Sequence, residues 1–268
     1  MQAAKKETAN IVTEKIRVLL VDDNKVNQFL GKRILNNLGI ENVELASGGE
    51  EALRLMTVQA YDIVLTDVEM PGMNGYILSQ HIRNLKNLQN RPVIVALTAN
   101  ASDEDRITAK EAGIDDYLTK PYSPQDLLDV IVKHVHAEGD TALVESSQDT
   151  ANGIEKLYAV FNHNTGDVTH FLLMLQQQLP ELIREVRVGL GRGEMEKAYH
   201  AAHKLKSPLK LLLEAAVADR FGLFTENLRN RSTDAADPES EFSIFDAQFT
   251  RLLQDIEQEL RKLRDKHP

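Results

Sequence analysis

The stretch RVLLVDD, residues 17–23, runs four consecutive apolar residues directly into two aspartates. An unbroken apolar run is typical of a strand covered on both faces of a parallel sheet. Further strand patterns are NVELA (42–46), DIVLT (62–66), PVIVAL (92–97) and DDYL (115–118). Amphipathic segments alternate with them, near residues 25–38, 49–59, 75–88, 101–112 and 124–136. This alternation predicts a doubly wound, flavodoxin-like α/β domain with a five-stranded parallel sheet over residues 16–136.

The second half of the chain has a different pattern. Residues 137–153 are polar, with four acids and no Lys or Arg, which favours an acidic linker. Residues 154–268 show helical spacing with no strand pattern, so we expect a separate all-α bundle of four or five helices there. Residues 1–15 are expected to be a flexible N-terminal segment.

Composition excludes several classes of function. The 268 residues contain no cysteine, so disulfides, zinc–thiolate sites and cysteine nucleophiles are excluded. We find no apolar run of about 20 residues and no signal peptide, so we expect a cytoplasmic protein without membrane insertion. The net charge is −10, and residues 154–268 hold 16 bases against 18 acids, which argues against direct DNA binding. No segment resembles an ATP-binding kinase domain.

Polar residues follow the predicted strands at their carboxyl ends: Asp22, Asp23, Asp67, Thr98 and Lys120. In a parallel sheet these positions share one edge, where ligands bind. Clustered carboxylates favour a hard cation such as Mg²⁺, and an aspartate can accept a phosphoryl group as an acyl phosphate. The Ser47-Gly48-Gly49-Glu50 segment could be a phosphate loop, but a capping box with Ser47 as N-cap is the preferred interpretation.

Four segments within residues 16–136 resemble the receiver domain of two-component response regulators: VLLVDDNKVN, DVEMPGMNG, LTAN and LTKP. The resemblance implies that Asp67 accepts a phosphoryl group and that Mg²⁺ is held by Asp22, Asp23, Asp67 and the backbone carbonyl of Glu69. It further implies that Thr98 and Lys120 bind the phosphoryl oxygens, that Tyr117 is the aromatic switch residue and that the Lys120–Pro121 bond is cis.

A histidine in the helical half is a second candidate. Residues 194–213 form one predicted helix whose apolar stripe includes Ala198, Tyr199, Ala202 and Leu205. His203 points away from the stripe, so we expect it to be exposed on a cationic face. Helical geometry alone favours an ordinary surface histidine. However, an exposed imidazole beside lysines can also attack an acyl phosphate.

The His-Lys-Leu-Lys motif at 203–206, after the helix FLLMLQQQLPELIREVRVGL, resembles the histidine-containing phosphotransfer (HPt) domain. This implies that His203 carries a phosphoryl group, with support from Lys204, Lys206 and Ser207. His200 is the competing candidate. Pro208 departs from the family pattern and predicts a kink near 204–208.

Together the two resemblances imply a phosphoryl-transfer carrier rather than a turnover enzyme. Its partners would be a sensor histidine kinase and a second receiver or HPt domain. The chain could equally be the C-terminal part of a hybrid sensor histidine kinase. The alternative function is a phosphorylation-controlled adaptor whose helical domain only binds a partner.

Overall fold

The computed structural model describes residues 16–85, 90–98, 103–120, 122–135, 153–230 and 237–266. The chain divides into two compact units between Ser147 and Gln148. The predicted N-terminal segment lies outside the described residues, as do residues 137–152 of the expected linker at 137–153 and Pro121 of the Lys120–Pro121 bond.

The first unit contains the predicted parallel sheet. Its strands are β1 (Val18–Val21), β2 (Val43–Ala46), β3 (Ile63–Asp67), β4 (Val93–Thr98) and β5 (Asp116–Thr119), in the order β2-β1-β3-β4-β5. All neighbouring pairs are parallel. Every residue of β1 and β3 is buried, as their continuous apolar runs predict. The flavodoxin-like fold class is confirmed.

Helices connect the strands as the amphipathic segments predict. They are α1 (Lys25–Asn37), α2 (Gly49–Val58), α3 (Gly75–Asn84), α4 (Asp103–Glu111) and α5 (Pro124–Val135). The N-cap of α2 is Gly48 rather than Ser47, and glycine has no side chain that could make a capping bond. The predicted capping box is therefore wrong. Instead, the Ser47 backbone N–H donates to a carboxylate oxygen of Glu51 at 2.7 Å.

The strand register brings the polar strand ends together. Val21 pairs with Thr66 of β3, so Asp22 and Asp67 follow at the same level of the sheet. Thr98 ends β4 opposite Thr119 of β5, and its carbonyl accepts the backbone N–H of Lys120 at 2.7 Å. The carboxyl edge of the sheet therefore carries the residues that the sequence predicts there.

The second unit is helical. Its helices are α6 (Glu155–Val160), α7 (Thr165–Gly191), α8 (Met195–Leu212), α9 (Ala215–Asn230), α10 (Pro238–Ser243) and α11 (Asp246–Lys266). These six helices among the described residues exceed the expected four or five because two are single short turns and because Leu213 adopts an extended conformation that separates α8 from α9. No helix in the described ranges combines the length and apolarity needed to cross a bilayer.

The core of the bundle is built around α7 and α8. A Cβ atom at Gly189 would lie 2.9 Å from the backbone nitrogen of Ala198, so these helices approach closely where this glycine faces α8. Pro208 is buried inside α8, and the helix continues beyond it to Leu212. Five phenylalanine rings pack together at α9, α10 and the start of α11: Phe221, Phe224, Phe242, Phe245 and Phe249.

Gly75 provides a test of the packing around Asp67. A Cβ atom at this position would lie 2.4 Å from the carbonyl oxygen of Asp67, while the Gly75 N–H donates to Val68 O at 3.0 Å. We expect Gly75→Ala to lower the free energy of unfolding by about 1–3 kcal/mol. The added methyl group would clash with the Asp67 carbonyl, and the hydrogen bond between Gly75 and Val68 keeps the two backbone segments from moving apart. Denaturant unfolding measures this.

Gly48→Ala is the matched control, because Gly48 has extended backbone and the nearest atom to its Cβ position is 3.9 Å away. Its loss of stability should be smaller. Equal losses in the two variants would show that the contact with the Asp67 carbonyl does not determine the effect.

Candidate functional site

Two buried carboxylates and a buried ammonium group meet at the carboxyl edge of the sheet. Asp22 is 1% exposed, Asp67 3% and Lys120 7%. The Lys120 Nζ lies 2.7 Å from Asp22 Oδ2 and 2.8 Å from Asp67 Oδ2. One cation therefore bridges the ends of β1 and β3 from the end of β5.

The electrostatics of the cluster keep Lys120 charged. Burial by itself lowers the pKa of Lys120, but the carboxylates of Asp22 and Asp67 outweigh it and raise the pKa above its ordinary value. Burial raises the pKa of Asp22, Lys120 opposes this, and Asp67 adds to it; the net pKa is raised. Because folding raises the pKa of Asp22, the ionisation of this carboxyl contributes unfavourably to folding at neutral pH, and further positive charge at the site would reduce that contribution.

The three aspartates predicted from the sequence fit a hard metal ion. Ligand atoms of Asp22, Asp23 and Asp67 all lie within 4.8 Å of one another. An all-oxygen donor set suits Mg²⁺, which needs only one or two carboxylates because it keeps several waters. The Glu69 N–H donates to Asp67 Oδ1 at 3.2 Å, which holds the second residue after β3 close to the cluster.

Thr98 and Tyr117 lie on the neighbouring strands, and both are partly buried. Tyr117 pairs in register with Ala96, two pairs before Thr98 and Thr119. The guanidinium of Arg106 lies 4.7 Å from the centre of the Tyr117 ring. Thr98 therefore shares the carboxyl edge with the carboxylates, and the Tyr117 ring is stacked against a helix α4 side chain.

Sequence reasoning missed the residues of α1 that hold this edge together. Gln28 is buried, and its amide donates to the carbonyl oxygens of Asp22 at 2.6 Å and Ala46 at 3.0 Å. Lys25 donates to Gln28 Oε1 at 3.0 Å and to Ser47 Oγ at 2.7 Å. A polar residue on the inward face of an amphipathic helix is the sequence signal that would have found Gln28.

In the helical unit, the candidate histidine lies in the middle of α8. His203 is partly buried rather than exposed, because its ring packs 6.0 Å from that of Tyr199. Lys204, Lys206 and Ser207 follow on the same helix and are also partly buried. A Cβ atom at Gly222 would lie 4.0 Å from Lys206 Cε, so the lysine stem lies over α9.

His200, the competing histidine, has a more polar setting. Its side chain is 46% exposed, and its Nε2 lies 4.0 Å from Glu196 Oε1. His200 and Lys204 help to line a cavity of about 420 Å³ between α7 and α8, together with Arg184, Arg192 and Lys197. The cavity lining is thus mainly basic next to His200, with Glu185 and Glu194 as its acidic members.

Comparison with known proteins finds a family model and relatives that match the first unit. The family model described as response regulator receiver domain matches residues 18–132. The chemotaxis protein CheY-3 of Vibrio cholerae is 34% identical over 123 residues, which cover 46% of this chain and 94% of that protein.

Two further similarities are to parts of sensor kinases. The sensor protein GacS of Pseudomonas syringae is 41% identical over 119 residues, covering 44% of this chain and only 13% of that protein. The crystal structure of the receiver domain of the Pseudomonas aeruginosa sensor histidine kinase PA1611, with a magnesium ion coordinated in its active-site cleft, is 36% identical. It covers 46% of this chain and 98% of that chain, with a TM-score of 0.42.

The match to CheY-3 extends over almost the whole of that protein, and the family model covers all five strands and the acidic edge. The chain therefore belongs to the response regulator receiver family, and residues 18–132 are its receiver domain of two-component signalling.

Proposed function

We propose that this chain is a phosphorelay protein in which Asp67 accepts a phosphoryl group and His203 carries one to or from a receiver aspartate. The observation that carries the proposal is the buried bridge of Lys120 between Asp22 and Asp67. A lysine so placed can neutralise charge on oxygens transferred to Asp67.

The acceptor reaction is a displacement at phosphorus. A carboxylate oxygen of Asp67 forms the new P–O bond while the P–N bond of a donor phosphohistidine breaks, and the bond electrons leave with the imidazole nitrogen. Asp22, Asp23, Asp67 and the Glu69 carbonyl would hold Mg²⁺, which supplies positive charge for the phosphoryl oxygens. Thr98 and Lys120 would donate to those oxygens, and Tyr117 would respond to the Thr98 position.

His203 supports the second half of the relay by its position among basic side chains on α8. A ring nitrogen forms a P–N bond as the acyl-phosphate P–O bond of a receiver breaks, and the aspartate carboxylate leaves. Lys204 and Lys206 would stabilise the charge on the transferred group, and small Ser207 would permit close approach of the receiver.

The proposed partners are a sensor histidine kinase and a second receiver or HPt domain. The part of this chain that matches covers only 13% of the length of GacS and 15% of the length of the Helicobacter pylori sensor histidine kinase CheAY. The sensor and kinase functions in those names belong to the whole proteins. Transfer by this chain is therefore proposed only for the two residues Asp67 and His203.

The first test of the proposed function concerns Asp67. Incubation with radiolabelled acetyl phosphate and Mg²⁺ should label the wild-type chain at a hydroxylamine-sensitive acyl phosphate, whereas Asp67→Asn should lose at least about 90% of that label because its amide is not a nucleophile. Asp62→Asn is the control, since Asp62 lies at the opposite end of β3. Undiminished labelling of Asp67→Asn would contradict the assignment of the acceptor.

The second prediction concerns His203. A phosphorylated His203→Gln chain, mixed with unlabelled Asp67→Asn chain, should transfer alkali-stable, acid-labile label to the second chain through its intact His203. Adding His203→Gln to the recipient should abolish the transfer, while adding His200→Gln should preserve it. If no histidine becomes labelled, the relay fails and the adaptor function is the better interpretation.

The third prediction uses Lys120. In Lys120→Met, two buried carboxylates lose their shared cation, so the metal-free chain should lose about 3–5 kcal/mol of unfolding free energy, and Mg²⁺ should restore more stability than in wild type. The control is Lys133→Met, which breaks a surface pair with Asp116 and should cost about 1 kcal/mol or less. Unfolding with chelator and with Mg²⁺ checks both; equal metal-free losses would argue against the bridge.

A further inference from the structure

The carboxylate of Asp22 has different partners on its two oxygens. Its Oδ1 accepts the Asn24 backbone N–H at 2.8 Å and the Asn27 Nδ2 at 3.2 Å. Its Oδ2 accepts from Lys120 at 2.7 Å. Because each carboxylate oxygen offers two lone pairs, the donors from the N-cap Asn24 and from Asn27 of α1 fill Oδ1 and leave Oδ2 as the oxygen with remaining capacity.

Hydrogen bonds of its neighbours hold the helical turn that carries Asn27 in place. Asn24 caps α1 by accepting the Val26 N–H at 2.9 Å, and Gln28 anchors the same turn to the carbonyls of Asp22 and Ala46. Only the NH₂ end of the Asn27 amide can donate to a carboxylate, so its orientation is determined too. The first turn of α1 is therefore anchored to the ends of β1 and β2, and its Asn27 side chain places a neutral donor next to Asp22.

We propose that Asn27 is a positioning residue for the cation site: it holds Asp22 Oδ1 so that Oδ2 is presented to Mg²⁺. The inference rests on the proposed Mg²⁺-dependent function of Asp67. Lys120 cannot serve this purpose, because it donates to Oδ2 itself and also to Asp67, so it competes for the oxygen that the metal would use.

A neutral amide is suited to this role. It orients the carboxylate without neutralising it, so Asp22 keeps the charge that attracts a cation. Mg²⁺ demands near-ideal octahedral geometry, whereas Ca²⁺ accepts variable coordination. Loss of the Asn27 donor should therefore weaken Mg²⁺ binding more than Ca²⁺ binding, an effect that general destabilisation would not produce.

The experiment titrates the full chain with Mg²⁺ alone and with Ca²⁺ alone, following heat by calorimetry. Asn27→Ala should raise the Kd for Mg²⁺ by about 10–100-fold, the usual effect of removing a hydrogen bond to a metal ligand. The Kd for Ca²⁺ should rise less. Asn37→Ala, an exposed position at the end of the same helix, should leave both constants unchanged.

Asn27→Leu, of similar size and without a donor, gives a second measurement if Asn27→Ala does not fold by circular dichroism. A Kd for Mg²⁺ within about twofold of wild type in either folded variant overturns the inference while leaving the proposed function intact. An equal rise in the Mg²⁺ and Ca²⁺ constants also overturns it. If the wild-type chain binds no Mg²⁺, the inference and the proposed metal dependence fail together.

Discussion

The ion pairs made by the ammonium group of Lys120 are the interactions on which the acidic edge of the sheet depends. This group connects the ends of β1, β3 and β5 through two short ion pairs that are almost completely buried from solvent. Because desolvation of isolated carboxylates is costly, Asp22 and Asp67 can be buried side by side only with a compensating cation. The parallel register brings these three strand ends to one level, so the fold and the charge balance determine each other.

This arrangement places stability and chemistry in opposition. Burial and the like charge of Asp67 outweigh the opposing charge of Lys120 and raise the pKa of Asp22, so ionisation of this carboxyl at neutral pH opposes folding. The polar turn at the start of α1 limits this cost by giving neutral donors to Asp22, and Gln28 closes the gap between β1 and β2. Neutral hydrogen bonds thus support a site in which three aspartates outnumber one lysine, so that negative charge is in excess.

Much of this was predictable because hydrophobic runs and strand ends are local signals. The runs at 18–21 and 63–66 specify buried strands, and parallel pairing then places Asp22 and Asp67 together without knowledge of any side chain. The partners of Asp22 were not predictable, since Asn27 and Gln28 are ordinary polar residues until the helix packs. His203 was expected on an open face, but Tyr199 packs against its ring, which depends on side-chain rotation rather than helical spacing. The end of α8 at Leu213 carries no glycine or proline to announce it.

The contact between Gly75 and the carbonyl of Asp67 has a mechanical consequence. Helix α3 begins against the backbone of Asp67, and the Gly75 N–H donates to the carbonyl oxygen of Val68. The close packing of α3 therefore holds the main chain at Asp67 and Val68 in place. A change of charge on the Asp67 side chain would therefore act on its side-chain partners rather than on its backbone, and Lys120, which lies 2.8 Å from Asp67 Oδ2, is the partner already in contact.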